Sequence, residues 1–416
     1  MCAQPHSPPY DPAMPTVALV LPAASYRGPD FVAAAEELGV DLVIATEGTL
    51  PVASGRIRAV VPIDCSHPDE AAAAIVAAAE PDWGAVIGVD DAGVVVAALA
   101  AEALGLPHDS PAAVAATRDK AEMRRLLEAA GVPQARHASA ATAEEALAAA
   151  AVLGYPVVIK PRSLAASRGV IRVDAPKGVR AAFARIEAIV AEAGASTPLL
   201  VEEYLPGDEV AVEAIASPAG LEILAVFDKP DPLVGPFFEE TIYVTPSRHS
   251  PEVIAAVVEI VSAGVTAIGL AHGAVHAEVR ITPDGVRLLE VAARSIGGLC
   301  GRSLRFGMLE QSLEVVLLRA ALGMNRKGMR RVDRASGAMM LPIPTAGILR
   351  GIRGQAAIGE VMGITGLEIT VAPGKHLRPL PEGDRYLGFL FASAETPEEV
   401  EAALREAWSL LEVVIE

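Results

Sequence analysis

The sequence is poor in cysteine, in aromatic residues and in positive charge, and each shortage removes a class of protein. Three cysteines stand among 416 residues, Cys2, Cys65 and Cys300, and they form no CxxC pair. Nothing here builds a disulfide framework or a cysteine zinc cluster, and a reducing compartment fits. Aromatics supply only 4% of the chain, too few for platforms that stack nucleic-acid bases. The 34 basic residues are outnumbered by 52 acidic ones, giving a net charge of −18. Such a surface repels phosphate backbones, so no nucleic-acid partner is expected, although local donors can still hold a small phosphate ligand. Long uncharged apolar runs are lacking too, and no membrane span is expected. The proline-rich start, 1–15, has no basic stretch ahead of an apolar run. It reads as a short unstructured tail and not a signal peptide, and a cytoplasmic protein is the expectation.

What is abundant is aliphatic: apolar residues reach 52%, mainly Ala, Val, Leu and Ile. At about 100–200 residues per domain, several domains are expected. From 16 to 117, short apolar strands at Val17–Leu21, Asp41–Ile44, Arg58–Ile63 and Gly84–Gly88 alternate with helices at Phe31–Leu38, Asp69–Ala79 and Ala92–Leu104. That alternation predicts an α/β domain with a parallel sheet, and Gly39 is a usual helix stop. No GxGxxG follows the first strand, so a dinucleotide fingerprint is missing. From 118 to 328 the character is α+β. Helices at Lys120–Ala130 and after the capping box Thr142–Glu145 are mixed with strands whose polarity alternates, the antiparallel pattern with one covered face. A C-terminal α+β region, 329–416, carries a run of glycines and a last helix opened by Thr396-Pro-Glu-Glu399.

Several polar residues sit where strands end. Lys160 closes the strand Pro156–Lys160 and feeds a loop, Pro161 to Gly169, with hydroxyls at Ser163 and Ser167 and the cation Arg168. Such a loop can cradle a phosphate; the bland reading is a hairpin with a surface lysine. Glu202, Glu203 and Tyr204 end another strand before Pro206-Gly207, and Glu209 opens the next. A free strand end can read an adenine edge and a carboxylate beyond it can accept from ribose, or the segment is an acidic turn. Glu278 and Glu290 lie on two strands joined by the Pro283-Asp-Gly285 turn, which would bring them side by side. Paired carboxylates repel unless a cation lies between them, and oxygen-only ligation favours Mg²⁺. The alternative is an edge hairpin with solvated glutamates. Arg294 follows closely and can clamp a carboxylate or a phosphoryl group, while Gly297 and Gly298 allow close backbone approach. His272 and His276 have i, i+4 spacing, but their segment reads as strand and HExxH is absent, so zinc is discounted. One of these histidines is a candidate core residue.

In this order and rough spacing, Lys120, Lys160 with its loop, Glu202-Glu-Tyr-Leu205, Glu209, Glu278 and Glu290-x₃-Arg294 resemble the ATP-grasp superfamily, most strongly over Arg118–Met324. Phe227-Asp-Lys-Pro-Asp231, Gly235-Pro-Phe-Phe-Glu-Glu-Thr241 and Glu290-Val-Ala-Ala-Arg294 resemble the bacterial L-amino acid ligases, the dipeptide-forming branch. The resemblance implies an ATP-grasp fold: a parallel-sheet domain at 16–117, an ATP-grasp domain at 118–328 with a lid at about 134–206, and the C-terminal α+β domain. It implies ATP as cosubstrate, held by Lys120, Lys160, Ser163, Ser167 and Gly169 at the phosphates. Glu202, Glu203, Tyr204 and Leu205 would lie at the adenine and Glu209 at the ribose. Glu278 and Glu290 would bind two Mg²⁺ ions, with Mn²⁺ also allowed. Lys160, Glu290 and Arg294 would act in catalysis. Glu240, His276, Arg294, Gly297 and Gly298 would face small-molecule carboxylate and amine substrates. The implied reaction is amide formation through an acylphosphate, and a homodimer is compatible with it. Two departures stand out. Ala292 occupies the place of a common metal-binding Asn, and the phosphate loop has only Gly169. Other ATP-grasp ligases, biotin-carboxylase-like or purine-pathway-like, and a non-catalytic ATP-binding module are the alternatives.

Overall fold

The computed structural model describes residues 15–23, 25–48, 53–195 and 197–416. The expected N-terminal tail and Cys2 lie outside these residues, apart from Pro15. The chain begins with β1 (Thr16–Leu21), α1 (Gly28–Leu38), β2 (Leu42–Thr46), β3 (Ile57–Pro62), α2 (Pro68–Ala77), β4 (Trp83–Gly88), α3 (Val94–Leu104) and α4 (Pro111–Arg118). The four strands form a parallel sheet in the order β3-β2-β1-β4, as the alternating pattern predicts. Its central strand β1 is wholly buried, which is why it reads as an unbroken apolar run. Helix α1 starts three residues before the predicted Phe31, because Pro29 favours the first turn, and ends at Gly39 with φ 73°.

Next come α5 (Lys120–Ala129), β5 (His137–Ala140), α6 (Ala143–Leu153), β6 (Val157–Lys160), β7 (Ile171–Val173), α7 (Pro176–Glu192) and β8 (Leu199–Glu203). These strands form a separate sheet, β5-β8-β6-β7, covered by α6 and α7. The capping box expected at Thr142 is half present. Its hydroxyl accepts from the Glu145 N–H at 3.2 Å, but the Glu145 carboxylate takes the Ala141 N–H instead of returning to Thr142.

The remaining elements are β9 (Asp208–Ser217), β10 (Gly220–Asp228), β11 (Ile242–Thr245), α8 (Pro251–Ile268), β12 (Gly273–Thr282), β13 (Gly285–Ala292), α9 (Leu313–Ala321), β14 (Ala335–Met340), β15 (Gly347–Arg353), β16 (Ile364–Ile369), β17 (His376–Leu377), β18 (Gly388–Ala394), α10 (Pro397–Ser409) and β19 (Glu412–Ile415). One eight-stranded sheet, β13-β12-β9-β10-β11-β14-β18-β16, joins the middle and C-terminal regions, and β17-β15-β19 forms a small side sheet. Strand β9 departs from the expected alternation: eight consecutive residues are buried. It lies inside the sheet with both faces covered, Ala211 and Ile215 in one core and Val210, Val212 and Ala214 in another. Helix α8 is the one helix among the described residues long and apolar enough to cross a membrane. It buries Val257, Val261 and Val265 in the core and turns Glu252 and Glu259 outward.

Candidate active site

A cavity of about 440 Å³ is lined on one side by β6 and the end of β8, and on the other by β9, β12 and β13. Strand order alone brings the carboxylates together: Glu278 on β12 pairs with Glu290 on β13, beside a bulge. Each is neutralised from a different direction. Lys229, just past β10, donates from Nζ to Glu278 Oε1 at 2.9 Å, to Glu209 Oε1 at 2.6 Å and to Glu240 Oε1. Lys120, at the start of α5, lies 3.2 Å from Glu290 Oε1 and donates to the Leu164 carbonyl at 2.9 Å. Burial opposes ionisation of Glu278, but Lys229 and His276 outweigh it and hold its carboxyl well below the usual range. Both glutamates line the cavity, and paired carboxylate oxygens are a donor set that fits Mg²⁺.

At the end formed by β6 and β8, Glu202 is 3% exposed and sits between two cations. Arg124 Nε reaches one oxygen at 2.6 Å and Lys160 Nζ the other at 2.6 Å. Burial raises the Glu202 carboxyl, but the two cations outweigh it and hold it at about 2. Glu203 and Tyr204 line the cavity, yet the Glu203 side chain turns to Arg136. The amides of both residues donate to the Arg136 and Pro156 carbonyls, so the strand end expected to be free is already paired on its N–H side. The Arg172 guanidinium covers the Tyr204 ring at 4.2 Å. Across the cavity Glu209 accepts from Lys229 and from Arg280, the latter at 2.9 Å.

The loop after Lys160 is fastened at its root by the Arg162–Asp119 ion pair and by the Arg162 carbonyl, which accepts from the Lys120 N–H at 2.9 Å. Leu164 to Ser167 line the cavity. Ala166 and Ser167 both have positive φ, 54° and 53°, a conformation that non-glycine residues adopt at a cost of about 1 kcal/mol or more each. Ser163 and Gly169 are not brought to the cavity wall: Ser163 is exposed and Gly169 is bonded to the Pro381 carbonyl.

Glu240, His276, Arg294, Gly297 and Gly298 also line the cavity. Arg294 makes a bidentate pair with Asp91 of the N-terminal region, at 2.9 and 3.0 Å. Burial opposes the Asp91 charge, but Arg294 and Arg118 outweigh it, and the carboxyl stays ionised. His276 bonds Glu213 through Nδ1 and is pushed up to about 9: burial lowers it, but the Glu213 carboxylate dominates. The other Glu213 oxygen accepts the Ile296 N–H at 2.8 Å, so this buried pair holds the loop that carries Arg294. Sequence reasoning missed Lys229, Arg124, Asp91 and Arg280. Lys229 carried a readable signal, since it follows an apolar strand just as Lys160 ends one.

Comparison with known proteins joins these observations. Residues 153–303 match the family described as ATP-grasp domain. Residues 32–108 match the ATP-grasp N-terminal domain, and 339–416 match the L-amino acid ligase C-terminal domain 2. The chain carries an ATP-grasp domain. Its fold superposes on the L-amino acid ligase from Bacillus licheniformis with a TM-score of 0.80 at 24% identity, covering 97% of this chain and 99% of that one. It also superposes on carboxyaminoimidazole ribonucleotide synthase from Aspergillus clavatus, a complex with ATP, with a TM-score of 0.75 at 17% identity, covering 95% and 99%. The alanine–anticapsin ligase of Bacillus subtilis is 30% identical over 223 residues, 48% of this chain and 46% of that protein. The chain thus spans about half the length of the curated relatives it matches. Both parts of the resemblance read from the sequence, the ATP-grasp fold and the kinship to L-amino acid ligases, hold.

Proposed function

We propose that this protein is an ATP-dependent ligase that joins an amino acid carboxylate to an amine, releasing ADP and phosphate. The observation that carries the reading is one cavity lined by the Glu278–Glu290 pair, Lys120, Lys160 and Arg294. The match of 339–416 to the L-amino acid ligase C-terminal domain favours amino acid substrates over purine intermediates or biotin. The similarity to a relative named alanine–anticapsin ligase supports an amino acid as one of the two substrates.

In this reading Val158, Leu205 and Leu289 hold the adenine and Glu209 the ribose. Lys120 and Lys160 bind phosphate oxygens, and Ser167 with the neighbouring backbone covers them. Glu278 and Glu290 hold Mg²⁺, which supplies charge stabilisation to the phosphoryl group. Arg294 fixes the carboxylate whose oxygen attacks the γ-phosphorus, breaking its bond to the bridging oxygen of ADP. The amine then attacks the acylphosphate carbon, and phosphate leaves. Glu240 receives a substrate ammonium. The loop after Lys160 excludes water that would hydrolyse the intermediate.

Purified protein with ATP, Mg²⁺ and pairs of amino acids should release phosphate, with the amide seen by mass spectrometry. Glu290→Ala should lower ADP release about 1,000-fold or more while the fold persists. Substrate-dependent ADP formation at the native rate in that variant would sink the metal assignment.

A further inference from the structure

The chain has six tyrosines, and four of them, Tyr26, Tyr204, Tyr243 and Tyr386, line the cavity. In so aromatic-poor a sequence this concentration marks a surface built for contact. Tyr204 lies at the β8 end. Of the others, Tyr243 lies beside Glu240, while Tyr26 and Tyr386 meet Phe389 of β18, next to the Gly297–Gly298 turn. Tyr26 meets the Phe389 ring edge-on at 6.0 Å, Tyr386 lies 6.4 Å from it, and Phe391 stacks behind it at 6.5 Å. Phe389 is fully buried and Met340 is 5% exposed. A Cβ at Gly298 would fall 2.6 Å from the Phe389 ring, so the ring sits directly over the turn that follows Arg294. Glu240 bonds the Tyr243 hydroxyl at 2.9 Å and is close enough to Tyr386 to add to the upward push that burial gives its phenol. Glu240, the aromatic wall and, through the Gly297–Gly298 turn, Arg294 in its pair with Asp91 thus line one continuous stretch of the cavity. They match the ammonium, the carboxylate and the side chain of one α-amino acid.

We infer that this stretch is a side-chain subsite for a large apolar amino acid, such as phenylalanine or leucine, with Tyr26, Met340, Tyr386 and Phe389 as its wall. The inference rests on the ligase reading and names the substrate class of that same site. A small side chain would leave the half-buried Tyr26 and Tyr386 rings facing water, with Met340 and Phe389 packed behind them. An acidic one would be desolvated against rings and beside Glu240. Burying a large apolar side chain gives roughly a 10- to 100-fold advantage over alanine.

The test is calorimetric titration of the full chain, with Mg²⁺ and a non-hydrolysable ATP analogue, using L-Phe, L-Leu, L-Ala, L-Asp and L-Lys. Phe and Leu should bind at least 10-fold tighter than the other three. Tyr386→Ala should cut the Phe-to-Ala affinity ratio at least fivefold. Phe389→Leu, checked by its melting curve, should do the same with less risk to the core. Absence of Phe and Leu binding, equal or tighter binding of Ala, Asp or Lys, or an unchanged ratio in both variants would overturn the inference. Phosphate release with the same amino acids in pairs reads the ligase separately. Release only with small or charged amino acids sinks the subsite and leaves the ligase standing. No release with any pair sinks the ligase, while the titration still decides the subsite.

Discussion

Two buried charge clusters face the same cavity with opposite designs. Toward β6 and β8, one carboxylate, Glu202, sits between two cations, Arg124 and Lys160. Toward β10 and β12, Lys229 sits at the centre of three carboxylates, Glu209, Glu240 and Glu278, with Arg280 on the far oxygen of Glu209 and His276 beside Glu278. The first leaves positive charge over for an anion and the second leaves negative charge over for a cation. Crowding shows in Glu240: burial first, then Glu278 and Glu209, push its carboxyl up to about 7 against the pull of Lys229. A nucleotide carrying phosphates and a substrate carrying an ammonium would each meet the sign they need within one low-dielectric space.

Removing the central charge of each cluster should break this symmetry in opposite directions. Lys229→Met removes the one cation shared by all three carboxylates and leaves Glu240 without a cationic partner, a loss of about 3–5 kcal/mol by analogy with broken buried pairs. The Glu209, Glu240 and Glu278 oxygens lie within 4.8 Å of one another, a spacing a divalent ion can bridge. Thermal melting should therefore show a lowered midpoint that millimolar Mn²⁺ partly restores and phosphate does not. Recovery with phosphate alone would contradict the assignment. Glu202→Gln strands Arg124 and Lys160 instead, and its smaller loss should recover with phosphate or ATP and not with Mn²⁺.

The same Glu202 gives a pH test. Its folded carboxyl lies near 2, below the ordinary 4.5, so its stabilisation is fully present above pH 4.5 and is lost as pH falls toward 2. The difference corresponds to roughly 3 kcal/mol. Denaturant titrations across that window should show a flatter stability curve for Glu202→Gln than for the native chain. Parallel curves would remove Glu202 from the acid response.

These clusters also mark where the sequence stopped being legible. The Glu278–Glu290 pairing could be read because both residues belong to one hairpin, whose turn and alternation set the register locally. The parallel sheet could be read because buried strands are continuous apolar runs. The partners could not be read. Arg124 lies 78 residues from Glu202, and Arg294 lies 203 from Asp91; such pairs are set by how sheets pack, which leaves no periodic trace. For the same reason the C-terminal wall, Tyr386 and Phe389, is invisible until β18 is placed beside β14.

The smallest expected effect concerns how the β5-β8-β6-β7 sheet and its helix α7 are held. Arg185 pairs with Glu382 at 2.6 and 3.0 Å, and Arg378 with Glu192 at 2.8 Å, linking α7 to the segment that leads into Tyr386 and Phe389. These pairs are partly exposed, so each contributes about 0–1 kcal/mol. The double variant Arg185→Ala/Arg378→Ala should shift the melting midpoint by less than about 3 °C. Its informative consequence is in coupling: if the proposed ligase reaction closes this sheet over an acylphosphate, loosening it would admit water, and phosphate released per amide formed should rise above the native ratio. An unchanged ratio would mean that the sheet closes on its ligand alone, with the C-terminal pins as bystanders.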